Sequence, residues 1–249
     1  SDLIKQLVDS QKLVRHQNMV KDEFMNIASH ELKTPITSMK ASLQILDRRA
    51  LSIPGFSTMR PFVSNANKQV NRLTDLVNEL LDVTRIQSGK LVLDKSYTSL
   101  DELVKETVEE IQHLSHHIYT IGEIPRVFVH ADSRRIQQVI INLLTNAAKY
   151  SPGSTNIIIG MQKEYDTVKF YVQDFGIGIP KEKLPLIFER FYRVEDNGNV
   201  VQGLGLGLYI CNGIIKSHLG KIGVESISGK GSTFWFSLPL AKVPETSLI

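Results

Sequence analysis

Residues 132–151 read DSRRIQQVIINLLTNAAKYS, and the rest of the chain can be interpreted outward from this stretch. Its apolar residues recur at spacings of three and four, which predicts one amphipathic helix with a buried stripe. Asp132 or Ser133 can cap the start, and the SPG sequence at 151–153 ends the helix. The buried stripe is expected to consist of Ile136, Val139, Ile140, Leu143, Leu144 and Ala147.

A second stripe on the same helix is polar. Asn142 and Asn146 lie one turn apart, and Lys149 and Tyr150 follow Asn146 by three and four residues. Asparagine carbonyls are neutral oxygen ligands that suit Mg²⁺ bound to nucleotide phosphates, and a lysine adds a positive charge for a phosphate. The stripe therefore indicates a magnesium and phosphate site, with a plain half-exposed helix face as the alternative.

Composition is that of an ordinary globular protein. The 249 residues suffice for one large or two ordinary domains, and 42% of them are hydrophobic and 22% charged. The formal net charge of +3 is spread along the chain, so we expect no nucleic-acid partner. The single Cys211 excludes an internal disulfide and a cysteine-based metal site. No apolar run approaches the roughly 18 residues of a spanning helix, so no membrane segment is expected.

Residues 1–89 have helical periodicity almost throughout. One long helix is predicted from the start of the chain to about residue 46. A second helix should follow at about 58–87, after a turn at 51–57 that contains Pro54-Gly55. Because both helices carry apolar positions, we expect this helical hairpin to form a homodimeric four-helix bundle. The alternative is a monomeric hairpin packed on the downstream domain.

The first helix contains SHELKTPI at residues 29–36. His30 and Thr34 lie one turn apart, and Glu31 follows the histidine directly. Pro35 inside a helix predicts a kink within a turn of His30. A neutral imidazole nitrogen is a competent nucleophile toward phosphorus, and Glu31 could hold or take the remaining ring proton. These neighbours distinguish His30 from the other six histidines.

After residue 89 the pattern changes to alternating strands and helices, which predicts a mixed α/β sandwich with helices on one face of the sheet. Helices are expected at 100–114, within 132–151 and at 205–217. Strands are expected at 90–96, within 119–129 (one or two strands, interrupted by Pro125), and at 156–162, 167–173, 222–226 and 232–238.

Glycine-bearing stretches interrupt this second part of the chain. They read DFGIGIP at 174–180, GLGLGL at 203–208 and GKGSTF at 229–234. Glycine permits positive φ and close backbone approach, so each stretch could bring backbone amides to a nucleotide. Asp174, which follows a strand, could accept a hydrogen bond from an adenine amino group. The flanking segments exclude the eukaryotic kinase DFG motif and the Rossmann and Walker fingerprints.

Six motifs occur in one order along the chain. They are SHELKTPI, NLLTNAAKYS at 142–151, DFGIGIP, FERFYR at 188–193, GLGLGL and GKGSTF. Their order and rough spacing resemble the H, N, G1, F, G2 and G3 boxes of the sensor histidine kinases of two-component systems. The resemblance implies a dimerisation and histidine-phosphotransfer domain at residues 1–89. It also implies a catalytic ATP-binding domain of the Bergerat (GHKL) fold at residues 90–249.

The resemblance implies roles for individual residues. His30 would accept a phosphoryl group with Glu31 as its acid/base partner, and Thr34 would position water for dephosphorylation of a partner. Asn146 would be the main Mg²⁺ ligand, supported by Asn142. The remaining ATP contacts would be Lys149 and Tyr150 at phosphate or ribose, Asp174 at adenine with Thr233 nearby, Arg190 or Arg193 at the γ-phosphate, and the glycines Gly176, Gly178, Gly203, Gly205 and Gly207.

The implied activity is ATP-dependent autophosphorylation on His30, relay to an aspartate on the receiver domain of a separate response regulator, and phosphatase activity toward that regulator. Because the chain starts inside a helical pattern without Met, we expect it to be part of a longer protein. The resemblance implies that this part is the cytoplasmic portion of a membrane-bound sensor with an upstream sensor domain. One alternative is a GHKL-type ATPase clamp without histidine phosphorylation. Another is a dimeric signalling scaffold with a degenerate nucleotide site.

Overall fold

The computed structural model describes residues 32, 34–46, 59–113, 116–154, 156–193 and 204–241. The chain divides into two compact units, Ser1–Leu91 and Val92–Ile249. The described part of the first unit is helical: residues 34–46 form α1, and α2 spans Arg60–Gln87. The predicted turn at 51–57 and the whole of the predicted first helix before residue 32 lie outside the described residues.

The two helices in the described part of the first unit, α1 and α2, keep apolar side chains at the surface of the chain. Phe62 is 70% exposed and Ile45 is 56% exposed, whereas Ile36 and Val63 are buried. Exposed apolar side chains at this density are typical of a surface that packs against a partner. Others of this kind are Leu32, Met39, Leu46, Met59 and Leu73.

The second unit is a mixed α/β structure, as predicted. Its helices are α3 (Leu100–Gln112), α4 (Ser133–Tyr150) and α5 (Gly207–Ser217), and a short 3₁₀ helix spans Lys181–Leu186. Its strands are β1 (Ser96–Ser99), β2 (Ile118–Ile121), β3 (Phe128–Ala131), β4 (Asn156–Lys163), β5 (Thr167–Gln173), β6 (Lys221–Ile227) and β7 (Gly231–Pro239).

The main sheet of the described chain has the strand order β2-β4-β5-β7-β6. Strand β2 runs parallel to β4, and the other neighbours are antiparallel. Strands β1 and β3 form a separate antiparallel pair. Helices α3, α4 and α5 pack on one face of the main sheet, where β5 contributes the fully buried Val168, Phe170 and Val172. The core therefore lies between these three helices and that face.

Helix α4 confirms the interpretation of residues 132–151. Its buried residues are the six apolar residues expected from their spacing. Asp132, rather than Ser133, is the N-cap, since its side chain accepts a hydrogen bond from the Arg135 N–H at 3.2 Å. Cys211 is buried on α5, where burial raises the pKa of its thiol.

The strand predicted at residues 90–96 is wrong. Only Ser96 belongs to β1, which pairs with β3 through Ser96–Ser99. Residues 91–96 do alternate between half-buried and exposed side chains, so the alternation read from the sequence is present in the structure. Alternating burial indicates an extended backbone with one face buried. A β-strand also requires hydrogen bonds to a neighbouring strand, which residues 91–95 lack within the described part of the chain. The 3₁₀ helix at Lys181–Leu186 was not predicted.

Candidate nucleotide-binding site

The loop after β5 lies against the C-terminal end of α4. The Ile177 N–H donates to the Tyr150 carbonyl at 3.1 Å. A Cβ on Gly176 would overlap that same carbonyl oxygen, so only glycine fits there. Gly178 has φ +65°, and a Cβ on it would overlap the Ile227 carbonyl. These two glycines are therefore required by packing between protein segments, whatever else the loop contacts.

Asp174 begins this loop and is 3% exposed. Its Oδ1 accepts hydrogen bonds from the Gly176 N–H at 2.9 Å and the Ser232 N–H at 3.3 Å. Burial raises the pKa of the Asp174 carboxyl above its ordinary value, and these two hydrogen bonds act in the opposite direction. Because both bonds end on Oδ1, Oδ2 is the oxygen that remains for a ligand donor such as an amino group.

The neighbour of Asp174 on β7 is Ser232, not Thr233. The Asp174 N–H donates to the Ser232 carbonyl at 2.8 Å, and Thr233 pairs with Gln173. Side chains alternate along a strand, so Ser232 shares a face with Asp174 while Thr233 lies on the opposite face. The structure thus places Ser232, and not Thr233, on the face of the sheet that carries the carboxylate. Sequence alone could not choose, since the choice depends on cross-strand register.

Asn142 and Asn146 are joined by a hydrogen bond on α4. The Asn146 Nδ2 donates to the Asn142 Oδ1 at 3.0 Å. Both side chains are half-buried, and a Cβ on Gly207 would overlap the Asn142 amide. Gly207 therefore lets the first residue of α5 approach α4 closely. The Asn146 Oδ1 takes no part in this bond and is the amide oxygen best placed to bind a cation.

Lys149 and Tyr150 complete the polar stripe of α4. The exposed Lys149 has its Nζ 5.5 Å from the centroid of the Tyr150 ring. Burial raises the pKa of the Tyr150 hydroxyl, and the positive charge of Arg193 acts against this rise. Arg193 is therefore close enough to Tyr150 to contribute to the electrostatics of the stripe.

The two arginines of FERFYR lie in different surroundings. A Cβ on Gly205 would lie 3.1 Å from the Arg193 Cγ, and Gly205 has φ +71°. By contrast, the Arg190 Cζ lies 5.8 Å from the centroid of the Tyr209 ring on α5. Arg193 is thus placed beside α4 and Gly205, and Arg190 beside α5.

The second unit brings most of the candidate residues into connected contacts. Asp174 and Gly176 meet the end of α4, where Tyr150 lies near Arg193, and the Asn142–Asn146 pair faces Gly207. Thr34 is exposed on α1 in the first unit. His30, Glu31 and Gly203 lie outside the described residues, as do residues 194–203.

The donor set of this cluster fits a nucleotide with its magnesium. Among the described residues, no group of three or more His, Cys, Asp or Glu side chains could hold a metal ion. A cation at α4 would therefore depend on an amide oxygen together with oxygens from its ligand, which is how Mg²⁺ binds beside phosphates. The cationic Lys149 and Arg193 lie on the same side of the site as Tyr150.

Two family models match successive parts of the chain. Residues 131–242 match the family described as "Histidine kinase-, DNA gyrase B-, and HSP90-like ATPase". Residues 20–89 match the "His Kinase A (phospho-acceptor) domain". The chain belongs to the sensor histidine kinases and comprises the kinase core of that family.

Individual relatives agree with this assignment. The chain is 32% identical over 246 residues to the circadian input-output histidine kinase CikA of Synechococcus elongatus, covering 94% of this chain and 32% of that protein. It is 31% identical over 229 residues to the sensor histidine kinase WalK of Bacillus subtilis, covering 90% of this chain and 37% of that protein. The chain thus spans about a third of these curated relatives.

A solved structure has a similar fold. Full-length ShkA in complex with AMPPNP matches with a TM-score of 0.73 and 25% identity, over 89% of this chain and 46% of that chain. ShkA binds AMPPNP, an ATP analogue, in that structure, which agrees with the ATP-binding family of the second unit. No helix among the described residues combines the length and apolar character that crossing a membrane requires.

Proposed function

We propose that the chain transfers the γ-phosphoryl group of ATP to His30 and passes it on to an aspartate of a separate response regulator. The main observation in support is the cluster on the second unit, where a buried carboxylate begins the loop that contacts the C-terminal end of α4 and a hydrogen-bonded pair of asparagines lies in the C-terminal half of α4. The match of residues 20–89 to a phosphoacceptor domain supports an acceptor in the first unit.

The proposed division of labour follows the two units. Residues 1–89 would form the dimerisation and phosphotransfer domain, and residues 90–249 the catalytic domain. The exposed apolar side chains on α1 and α2 support a homodimer, because they leave surface for a second copy to bury. We further propose that the chain is the cytoplasmic portion of a membrane-bound sensor with an upstream sensor domain.

In the proposed nucleotide site, each part of ATP has a partner. The Asp174 carboxylate would accept a hydrogen bond from the adenine amino group. The Asn146 oxygen would bind Mg²⁺, with Asn142 holding the Asn146 amide in orientation. Bound Mg²⁺ would supply positive charge against the phosphate oxygens. Lys149 and Tyr150 would contact phosphate or ribose.

Arg193 is the proposed contact for the γ-phosphate, in preference to Arg190. Its charge acts on Tyr150 at the end of the polar stripe, whereas Arg190 lies over a ring on α5. A guanidinium beside the phosphoryl oxygens stabilises the charge that spreads over them during transfer. Arg190 would then serve mainly to hold the segment after the 3₁₀ helix against α5.

The proposed transfer is an in-line displacement. A ring nitrogen of His30 forms a bond to the γ-phosphorus as the bond to the β–γ bridging oxygen breaks, and ADP leaves. Glu31 holds or takes the proton on the other ring nitrogen as positive charge develops. When the chain acts as a phosphatase, Thr34 would position water for removal of the phosphoryl group from the regulator.

The test uses the full chain with Mg²⁺ and γ-labelled ATP. The kinase proposal predicts protein-bound label that is stable to base and lost in acid, as expected for phosphohistidine. A GHKL-type ATPase clamp predicts release of labelled inorganic phosphate with no label on protein. A scaffold with a degenerate site predicts neither product. Substituting α-labelled ATP is the control, because it should leave the protein unlabelled.

A further inference from the structure

Three polar side chains, one directly after β5 and one each on β7 and β6, form a row beside the candidate base site. Asp174 directly follows β5, Ser232 pairs with it on β7, and Ser226 pairs with Ser232 on β6. Residues opposite one another in a sheet point to the same face, so the three side chains form a continuous line. The last member, Ser226, was not singled out by its sequence.

The Ser226 hydroxyl makes three contacts. Its Oγ donates to the Gly231 carbonyl at 2.9 Å and accepts from the Ile179 N–H at 2.8 Å. Its Oγ also lies 3.0 Å from the Ser232 Oγ. A serine hydroxyl has one proton and two acceptor lone pairs. With its proton on Gly231, Ser226 must accept from Ser232, and its hydrogen-bonding capacity is then complete.

This arrangement determines where the hydroxyl proton of Ser232 points. Since the Ser232 hydroxyl proton is directed to Ser226, its own oxygen is left with acceptor lone pairs only. That oxygen lies in the same row as the Asp174 carboxylate, which is also an acceptor. The row therefore offers acceptors to a ligand and favours a base edge that carries an amino group. A carbonyl oxygen in the same place would be repelled.

Ser226 also ties together two loops that flank the row. Through Ile179 it holds the end of the loop that begins at Asp174, and through Gly231 it holds the first residue of β7, directly after the other loop. The Gly229 N–H adds a second link between these loops, donating to the Ile177 carbonyl at 2.7 Å. The Ser226 hydroxyl thus holds the backbone of the loop after Asp174 in place and also determines the direction of the Ser232 hydroxyl proton.

We propose that Ser226 is a positioning residue for base selection, acting through Ser232 and the 174–179 loop to favour adenine over guanine nucleotides. This inference rests on the proposed ATP site. Guanine carries a carbonyl oxygen where adenine carries its amino group, so the acceptors set by Ser226 discriminate between the two. Ser226 itself does not touch the nucleotide.

The experiment titrates the full chain with ADP and with GDP by calorimetry, which avoids turnover. We expect Ser226→Ala to weaken ADP binding about tenfold while GDP binding changes little, so that the ratio of the two affinities falls. Ser226→Thr keeps the hydroxyl and should restore ADP affinity to within about twofold of the original. Ser237→Ala is the matched control, because Ser237 is a half-buried serine of β7 on the opposite face.

A double-mutant cycle separates positioning from general loosening. If Ser226 acts through Ser232, the losses in ADP affinity of Ser226→Ala and Ser232→Ala will be less than additive. An unchanged ADP-to-GDP ratio in a folded Ser226→Ala protein, or fully additive losses, would overturn the inference and leave the ATP site intact. If the original chain binds no ADP at all, the result contradicts the proposed function itself, and the inference about Ser226 falls with it. Should Ser226→Ala not fold, the affinity ratio of Ser226→Cys, a weak hydrogen-bonding substitute, decides in the same way.

Discussion

The side-chain amide of Asn146 donates a hydrogen bond to the side-chain oxygen of Asn142, one turn earlier on α4, at 3.0 Å. This bond engages the oxygen of Asn142 and leaves the oxygen of Asn146 for a cation. The two asparagines are therefore not equivalent.

This asymmetry predicts unequal losses in Mg²⁺-dependent ATP binding. Asn146→Ala removes the ligand oxygen and should abolish the gain in ATP affinity that Mg²⁺ gives. Asn142→Ala removes only the orienting partner and should lower that gain by about 10-fold to 100-fold. Titrations with ATP in Mg²⁺ and in EDTA measure both effects. Thr145→Ala, at an exposed position of the same helix, is the control. Equal losses for the two asparagines would contradict the assignment.

The contact between Gly176 and the Tyr150 carbonyl predicts a stability effect. Gly176→Ala places a Cβ on that oxygen, so the loop or the end of α4 must shift. We expect a loss of about 1–3 kcal/mol in the free energy of unfolding, together with weaker ATP binding. Urea unfolding measures the first and calorimetry the second. Gly153→Ala is the matched control, since nothing lies within 4 Å of its added Cβ. Similar behaviour of the two variants would show that the close packing is not rigid.

The different surroundings of the two arginines predict different defects. Arg193→Ala should reduce ATP binding more than ADP binding and should slow phosphoryl transfer by about 10-fold or more, since a cation is lost beside the γ-phosphate. Arg190→Ala should affect ATP and ADP binding alike, because Arg190 lies over Tyr209 on α5. The measurement is the ratio of ATP to ADP affinity in each variant. A larger change in that ratio for Arg190→Ala would reverse the assignment.

His218 links the two helices nearest the site and makes stability depend on pH. Its Nε2 accepts from the Asp132 N–H at 3.0 Å, and its Nδ1 lies 2.8 Å from the Ile214 carbonyl, so the ring must be neutral. Burial lowers the pKa of His218. Lys95 and His130 lower this pKa further, while the hydrogen bond to Ile214 and the charge of Asp132 raise it.

The sign of the pH effect follows from this lowered pKa. Between the folded value and the ordinary value of 6.5, the unfolded chain binds more protons than the folded chain. Stability from His218 is therefore complete above about pH 6.5 and is lost as the pH falls toward the folded pKa. We expect His218→Gln to flatten the dependence of unfolding free energy on pH between 7.5 and about 5. The control is His113→Gln, at an exposed position, and an equal flattening there would contradict the prediction.

The local features of the fold were predictable from sequence, and the register-dependent ones were not. Helix α4 follows from its own periodicity, because a helix buries a face set by residues three and four apart. Strand β1 and the neighbour of Asp174 depend on which strands pair and in what register. Thr233 and Ser232 are adjacent in sequence, yet only one shares a face with the carboxylate.

At the site, the contacts of the glycine stretches also could not be predicted from the sequence. Glycine was expected to allow close approach of the backbone to a nucleotide. In the structure, Gly176, Gly178 and Gly207 are each required by a neighbouring protein atom. Sequence indicates that a backbone position is crowded, but not what crowds it. The contacts among Asp174, Ser232 and Ser226 likewise depend on strand pairing that residue identities do not specify.

The most direct test of the account identifies which residue carries the phosphoryl group. The full chain is incubated with Mg²⁺ and γ-labelled ATP, and the labelled residue is located in the original chain, in His30→Gln and in His113→Gln. We predict acid-labile label on His30 in the original chain and in His113→Gln, and no label in His30→Gln with ATP binding retained. Undiminished acid-labile label in His30→Gln would contradict the central claim.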